Sequence, residues 1–142
     1  MFEIEKVDME HIDRIRPLWE RLIQANAANS PYFADYYGTF EFSVRKSFLQ
    51  EKLDSGAAMY TAVLVDRDKK QDAGFVTVTY NRETSFGEVE MLYLLEEYRG
   101  QGMGKKLFKM ALSCLDINCI RAMRLYQSFG FYPFTIDCLQ KH

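Results

Sequence analysis

Three consecutive segments in the middle of the chain limit its fold more than any other feature. "AMYTAVLVD", "AGFVTVTYN" and "GEVEMLYLL" are rich in β-branched and aromatic residues, and the polar turns "RDKKQD" and "RETSFG" separate them. β-Branched and aromatic side chains suit the pleated surface of a strand, and short polar turns join neighbouring antiparallel strands. The pattern therefore predicts an antiparallel meander of three strands.

Helical patterns precede this meander. Asp8 can cap a first helix, and Pro17 is expected to kink or restart it. The apolar residues at helical spacing in this segment are Ile12, Ile15, Leu18, Trp19 and Leu22. A second helix is expected from about residue 40 to residue 53, after a loop over residues 26–39 that is rich in aromatic side chains.

The C-terminal part continues the alternation of helices and strands. Residues 103–116 have the pattern of an amphipathic helix, and "CIRAMRLYQSFGFYPFTIDC" reads as a helix ended by Gly130 and a last strand from Phe131. With the short strand "FEIEKV" at the start, the order becomes β, α, α, three β, α, α, β. This order predicts one α+β domain over residues 1–142, with helices on the faces of a sheet.

Charge and cysteine content exclude several classes of protein. The 18 basic and 20 acidic residues are interspersed, with a net charge of −2, so no basic surface for a nucleic acid is expected. Three cysteines without CxxC spacing predict reduced thiols in a cytoplasmic protein rather than disulfides or a zinc site. No apolar run approaches the roughly 18 residues of a membrane span. His11 and His142 lack metal-binding partners at useful spacing, so no metal is expected.

The glycine-rich stretch "RGQGMG" joins the third strand of the meander to a helix. Its residues are Arg99, Gly100, Gln101, Gly102, Met103 and Gly104. It does not fit the dinucleotide fingerprint G-x-G-x-x-G, because Lys105 occupies the sixth position from Gly100, and it does not fit a P-loop, because Lys106 replaces the Ser or Thr. Backbone N–H groups at a helix N-terminus can nevertheless surround an anion, and the helix dipole favours negative charge there. The stretch therefore predicts a phosphate-binding loop.

The spacing of this loop also carries a family resemblance. Arg99, Gly102 and Gly104 are spaced as arginine, two residues, glycine, one residue, glycine, and "EVEMLYLLEEY" precedes them. The motif closely resembles the acetyl-CoA-binding motif of the GNAT superfamily of N-acetyltransferases, although Glu96 replaces the family's common proline. "RAMRLYQSFGFYP", residues 121–133, is similar to the family's downstream helix. The resemblance spans nearly the whole chain and implies a GNAT-like mixed, mostly antiparallel sheet flanked by helices.

The resemblance implies acetyl transfer from acetyl-CoA to an amine by direct attack, without an acyl-enzyme. The pyrophosphate would bind the N–H groups of residues 99–104, and the pantetheine arm would pair with the main chain of Leu92, Tyr93 and Leu94. A strand N–H near Leu92 would stabilise the oxyanion that develops on the thioester carbonyl. The sequence does not identify the amine, which could belong to a small molecule or to a peptide.

Two carboxylates are candidates for the general base. Period-2 alternation places Glu88 and Glu90 on one face of their strand, about 7 Å apart, together with Leu92 and Leu94. Burial beside an apolar cofactor would disfavour the charged form and raise the pKa of such a carboxylate toward a value useful for a base. The family pattern favours Glu90, with Glu88 as the alternative. It also makes Tyr126 the candidate acid for the leaving thiolate.

The segment after the glycine loop is shorter than in the family. Residues 103–118 can form one helix through Leu107 and Leu115 but not also a full strand, so the fifth strand is expected to be shortened or missing. We then expect a homodimer or a locally disordered segment at the sheet edge. A helix unbroken from Met103 toward Phe129 is a third alternative. A catalytically idle acyl-CoA-binding module is the rival function, because a missing strand would alter the cleft for the acetyl arm.

Overall fold

A single sheet forms the centre of the computed structural model, which describes residues 1–29, 41–118 and 120–125. Its strands are β1 (Phe2–Val7), β2 (Ala58–Asp66), β3 (Gln71–Asn81), β4 (Phe86–Leu94) and β5 (Ala122–Leu125). They lie in the order β1-β2-β3-β4-β5; the first four pair antiparallel, and β5 runs parallel to β4. The expected meander and the mixed, mostly antiparallel sheet are confirmed.

The polar turns of the sequence close the two hairpins of the meander. The side chain of Asp66 accepts hydrogen bonds from the backbone N–H groups two and three residues further on, and Asn81 does the same in the second turn. Each turn ends at a residue in the left-handed conformation, Lys70 with φ of 52° and Ser85 with φ of 56°. Side chains that mimic a backbone turn in this way explain why these polar segments reverse the chain direction.

The N-terminal helical segment is interrupted near its proline, as expected. A 3-10 helix (Met9–Ile15) is capped by Asp8, which accepts a hydrogen bond from the N–H of His11 at 3.1 Å. The helix α1 (Arg16–Asn29) then begins with Pro17 in its first turn, where a missing N–H costs nothing.

The next helices are α2 (Phe42–Asp54) and α3 (Met103–Ile117). The loop expected over residues 26–39 is wrong for residues 26–29, which belong to α1, because "NAAN" contains no helix breaker and alanine favours helix. The aromatic residues Tyr32, Phe33, Tyr36 and Tyr37 lie outside the described residues.

The helices cover opposite faces of the sheet. A Cβ atom built on Gly87 of β4 would lie 2.6 Å from Leu115 Cδ2, so this face contacts α3. The neighbouring residue Glu88 points to the other face, where its carboxylate binds Lys52 of α2. α1 lies beside α2, with an edge-to-face contact between the rings of Trp19 and Phe42. The sheet is therefore buried on both sides, which explains the continuous burial of β4.

The C-terminal segment differs from the expectation. Ala122–Leu125 is a strand and not the start of a helix, and its register with β4 runs from the Phe86–Ala122 pair to the Val89–Leu125 pair. Pairing with β4 overrides the helical propensity of "RAMRL". Because α3 ends at Ile117, the unbroken helix toward Phe129 is also wrong. The rest of the expected helix and the strand from Phe131 lie outside the described residues.

The fifth strand begins after Arg121 rather than before it, and its expected shortening stays a prediction. The described part of β5 has 4 residues and β4 has 9, so it covers only the first half of its neighbour. The homodimer at this edge, and the single domain over residues 1–142, stay predictions.

The apolar stripe of α3 gives a first prediction. Leu107 is fully buried against the sheet, whereas Leu112 on the same helix is only half-buried. Leu107→Ala removes buried methyl groups and leaves a cavity, so the free energy of unfolding should fall by about 2–5 kcal/mol. The matched variant Leu112→Ala should cost less than about 1.5 kcal/mol. Urea denaturation measures both, and equal losses would contradict the packing described for α3.

Candidate active site

The glycine loop connects β4 to α3. A short 3-10 helix (Glu96–Tyr98) follows β4, and Gly102 is the N-cap residue of α3. Gly100 and Gly102 adopt left-handed conformations with φ of 82° and 80°, which other residues rarely adopt. A Cβ atom built on either glycine would meet no described atom within 4 Å. Among the described residues, the loop therefore leaves open space at a helix N-terminus, and that space fits a phosphate group approaching the backbone.

Two polar contacts fix the approach to this loop. Tyr98 is 4% exposed, and its hydroxyl donates a hydrogen bond to Asp66 Oδ2 at 2.8 Å. Burial and the neighbouring Asp66 carboxylate raise the pKa of Tyr98 to about 12, so the hydroxyl stays a donor. Arg99 Nε donates to the carbonyl oxygen of Leu94 at 2.9 Å, and the guanidinium lies 5.5 Å from the ring centroid of Tyr93. The side chain of Arg99 thus braces the loop against the end of β4.

The N–H groups of the loop are not equivalent. The N–H of Arg99 donates to the carbonyl oxygen of Glu96 at 3.1 Å, so an anion-binding row would begin at Gly100. The first N–H groups of an α-helix have no acceptor within the helix. In α3, Lys106 is the residue whose N–H donates back to Gly102, at 3.1 Å.

β4 contains a bulge at Glu90. Thr77 of β3 is paired with Met91, and the next residue Val78 is paired with Val89, so Glu90 is the extra residue. Bulges change the direction in which a side chain points and occur frequently beside active sites. The bulge also interrupts the period-2 alternation of side chains, which is the basis for predicting the face of the sheet on which Leu92 and Leu94 lie.

The second half of β4 extends beyond the described part of β5. The described register with β5 reaches Val89, and residues 90–94 continue toward the glycine loop. Leu92, Tyr93 and Leu94, the residues expected along the pantetheine arm, lie in this segment and are all buried. Their other edge is paired with β3.

Glu88 and Glu90 share one face, as expected, and a lysine bridges them. Lys52 Nζ of α2 forms hydrogen bonds with Glu88 Oε2 and with Glu90 Oε2. Thr79 of β3 donates its hydroxyl to Glu90 Oε2 at 2.6 Å. Arg45 Nη1 lies 4.0 Å from the other oxygen, Glu90 Oε1. This oxygen receives no hydrogen bond from the part of the chain that the structure describes.

Burial and hydrogen bonding together shift the pKa values of Glu90 and Lys52. Glu90 is 0% exposed, and burial raises the pKa of its carboxyl, an effect that the hydrogen bonds from Lys52 and Thr79 only partly oppose. Burial lowers the pKa of Lys52, but its bonds to Glu88 and Glu90 outweigh this and leave the pKa above its ordinary value. Lys52 is therefore an ammonium at neutral pH. The expected rise in the pKa of Glu90 by desolvation is present.

A cavity of about 430 Å³ lies beside these charges, between the end of α2 and the hairpin that joins β3 to β4. Lys52 and Glu88 form part of its wall, and three aromatic side chains supply much of the rest. The remaining lining residues are Phe48, Glu51, Ser55, Ala57, Thr79, Tyr80, Asn81 and Phe86. The cavity therefore offers a polar wall and an apolar body, as a small-molecule site does.

The contribution of α2 was missed by the sequence interpretation. Arg45, Leu49 and Lys52 are spaced by four and three residues, so they lie on one face of the helix, and Leu49 is fully buried. Arg45 and Lys52 lie on the same face of α2 as the buried Leu49. Cations beside a buried residue could have indicated that this helix supplies partners for buried carboxylates. A lysine in the last turn of a helix is usually solvated, which explains why the signal is weak.

The other candidate residues lie away from this site. His11 is exposed and binds Asp8; their ligand atoms and that of Glu10 lie within 4.8 Å of one another, which corrects the expectation that His11 has no partner nearby. The absence of a metal stays a prediction. Cys114 is half-buried, and burial raises the pKa of its thiol. Tyr126, His142 and the last cysteine lie outside the described residues. Among the described helices, none has the length and apolar character needed to cross a membrane.

Comparison with known proteins agrees with this architecture. The Acetyltransferase (GNAT) domain family matches residues 59–133, more than half of the 142 residues. The chain therefore belongs to the GNAT acetyltransferase family. No curated protein sequence matches it.

Solved structures share the fold at low sequence identity. A proposed acetyl transferase from Pyrococcus furiosus is 16% identical, with a TM-score of 0.59, over 96% of this chain and 85% of that one. A proposed acyl-CoA N-acyltransferase from Klebsiella pneumoniae is 18% identical, with a TM-score of 0.55, over 88% and 70%. A GNAT family acetyltransferase from Staphylococcus aureus is 15% identical, with a TM-score of 0.54, over 88% and 72%. At these identities the likeness shows the fold alone.

The bond between Tyr98 and Asp66 gives a second prediction. Tyr98→Phe removes a buried donor from a carboxylate, so the Tm should fall by roughly 2–4 °C. Tyr80→Phe is the matched control, because the hydroxyl of Tyr80 has no hydrogen bond to the described residues, and its Tm should change by less than about 1 °C. Calorimetry of both variants measures this, and an unchanged Tm for Tyr98→Phe would show that the bond does not stabilise the loop.

Proposed function

We propose that this chain is an N-acetyltransferase that moves an acetyl group from acetyl-CoA to a primary amine by direct attack with general-base assistance. The observation that carries the proposal is the position of Glu90, a fully buried carboxylate at a bulge in β4, between the cavity-lining residue Glu88 and the glycine loop that follows the strand. Membership of the GNAT family supports the reaction class.

The glycine loop is proposed to bind the pyrophosphate of acetyl-CoA. The N–H groups of Gly100, Gln101, Gly102, Met103 and Gly104 would supply the hydrogen bonds, and the dipole of α3 would add favourable potential. Left-handed Gly100 and Gly102, with open space above them, support this role. Leu92, Tyr93 and Leu94 would hold the pantetheine arm along the second half of β4. When bound, acetyl-CoA supplies an activated thioester.

Glu90 is proposed to accept the proton of the attacking amine. Its pKa is raised by burial, which makes the carboxylate a stronger base than an exposed glutamate. Glu90 Oε1, which receives no hydrogen bond from the described residues, keeps its lone pairs for this proton. Glu88 lines the cavity directly and remains the alternative base. Tyr126 stays the predicted acid for the thiolate; its chain neighbour Leu125 is in register with Val89.

The cavity beside Lys52 and Glu88 is proposed to receive the acceptor. Its aromatic wall, with Phe48, Tyr80 and Phe86, favours an amine carried by an apolar or aromatic body, in a small molecule or a peptide. The balanced charge of the chain gives no support to a nucleic-acid partner. A cytoplasmic location stays a prediction.

A catalytically idle acyl-CoA-binding module is the second candidate function. The bond between Lys52 and Glu90 favours it, because a base held by an ammonium would have to release that partner or use its second oxygen. A panel of primary amines with acetyl-CoA separates the two functions: free CoA and an acetylated amine, identified by mass spectrometry, are expected. Binding of CoA without turnover of any amine would favour the module.

A third prediction tests the glycine loop. Gly102→Val would place a side chain in the space assigned to the pyrophosphate and strain the backbone, so calorimetry should show CoA affinity reduced by roughly tenfold or more. Gly56→Val is the control, because Gly56 also has a left-handed φ, of 104°, and an open Cβ position. Gly56 precedes β2 at the end of the sheet opposite the glycine loop, so the Gly56→Val variant should bind CoA normally. If Gly102→Val folds and binds CoA with wild-type affinity, the assignment of this loop to the pyrophosphate is wrong.

A fourth prediction tests the base. Glu90→Gln should lower kcat by roughly 100-fold or more at neutral pH while the affinity for acetyl-CoA changes little, because the base acts after binding. In the wild type, kcat/KM should fall as pH decreases through the raised pKa of Glu90, and this acid limb should disappear in the variant. Glu88→Gln is the matched comparison. If Glu90→Gln is as active as wild type from pH 6 to pH 9, the base is Glu88 or solvent.

A further inference from the structure

The ammonium of Lys52 lies between the buried carboxylates of Glu88 and Glu90. Lys52 Nζ binds the Oε2 atoms of Glu88 and Glu90, and it lies 3.5 Å from the hydroxyl oxygen of Thr79. It also lies 4.9 Å from the ring centroid of Phe48, which shields it on one side. The side chain of Lys52 is 23% exposed, so solvent screens these charges only partly.

The described charged and polar groups that face Glu90 come from α2, β4 and β3. α2 contributes Lys52 by direct hydrogen bond and Arg45 at 4.0 Å from Glu90 Oε1. β4 contributes the like charge of Glu88, and β3 contributes the neutral hydroxyl of Thr79. Among the residues that the structure describes, Lys52 is therefore the cation in direct contact with the carboxylate, and it is shared with Glu88.

Two buried carboxylates close to one ammonium behave differently from two without it. Like charges at this proximity disfavour simultaneous ionisation, and one of the pair takes up a proton unless a cation compensates. A protonated Glu90 could not act as a base. The ammonium also binds Oε2 and leaves Oε1 as the oxygen that can accept a proton.

We propose that Lys52 is a positioning residue for acetyl transfer: its ammonium keeps Glu90 ionised beside Glu88 and selects Oε1 of Glu90 as the proton acceptor. The assignment rests on the proposed function of Glu90 as base. Lys52 is not itself the acetyl acceptor, because its bonds to both carboxylates raise its pKa and keep the amine protonated. A protonated amine has no lone pair with which to attack a thioester.

The direct test is a titration of the Glu90 carboxyl by 13C NMR, assigned by comparison with Glu90→Gln. Lys52→Met keeps the length of the apolar stem and removes the charge, so the pKa of Glu90 should rise by at least about one unit. Lys52→Arg should restore it toward the wild-type value. Lys46→Met is the matched control, because Lys46 is on the same helix but binds Asp13 at the surface, and the pKa of Glu90 should not change.

Kinetics provide a second readout. In Lys52→Met the acid limb of kcat/KM should move to higher pH by the same amount, so that activity on the acid side falls roughly tenfold per unit and recovers at high pH. KM for acetyl-CoA should stay unchanged. A uniform loss of kcat at every pH, with the pKa of Glu90 unmoved, would overturn the proposal and leave Lys52 a structural role. Acetylated Lys52, detected in wild type by mass spectrometry, would also overturn it.

These measurements distinguish failure of the proposed function from failure of the role proposed for Lys52. If wild-type protein turns over no amine, the proposed function fails, but the titration still decides whether Lys52 keeps Glu90 ionised. If Lys52→Met does not fold, Glu88→Gln replaces it. Removal of the like charge should then lower the pKa of Glu90, and an unchanged value would overturn the coupling of the three groups.

Discussion

The pairing of β3 with β4, and the bulge within it, is the constraint on which the site depends. Thr77 and Val78 are neighbours on β3, but their partners Met91 and Val89 on β4 are separated by Glu90. A regular ladder cannot hold this extra residue, so the pairing shifts by one residue at Glu90, whose carboxylate faces α2, and the strand continues to the glycine loop. The sheet thus sets the distance between the buried carboxylate and the loop, and both are held by one strand.

The cost of burying Glu90 explains much of the surrounding chemistry. A carboxylate with no exposed surface is unfavourable unless it is paired and hydrogen-bonded. Lys52 and Thr79 provide this compensation from two other elements, α2 and β3. Breaking one partner of a buried pair is costly because it leaves an unpaired charge. The contacts of Lys52 and Thr79 therefore both stabilise the fold and set the ionisation of Glu90, the proposed general base.

Local patterns predicted most of the fold and part of the site. The meander, the cap by Asp8 and the helix after the glycine loop depend on residues close in sequence, and all three are confirmed. Ala122–Leu125 could not be predicted in this way, because its strand conformation depends on pairing with β4, which is more than 30 residues earlier in the sequence. The bulge at Glu90 and the bond to Lys52 are likewise products of tertiary packing. Periodicity indicates which residues share a face, but it does not indicate what lies opposite.

The division of the site between elements has an evolutionary consequence. The proposed cofactor loop depends on backbone conformation between β4 and α3, whereas the cavity is lined by side chains from the end of α2 and from the β3–β4 hairpin. Substitutions at Phe48, Tyr80 or Phe86 can therefore reshape the cavity without touching the glycines. Substitutions on α2 and on the β3–β4 hairpin could exchange one acceptor amine for another during evolution, while acetyl-CoA stays the proposed acetyl donor. Selection would then preserve backbone shape on one side and explore side-chain variety on the other.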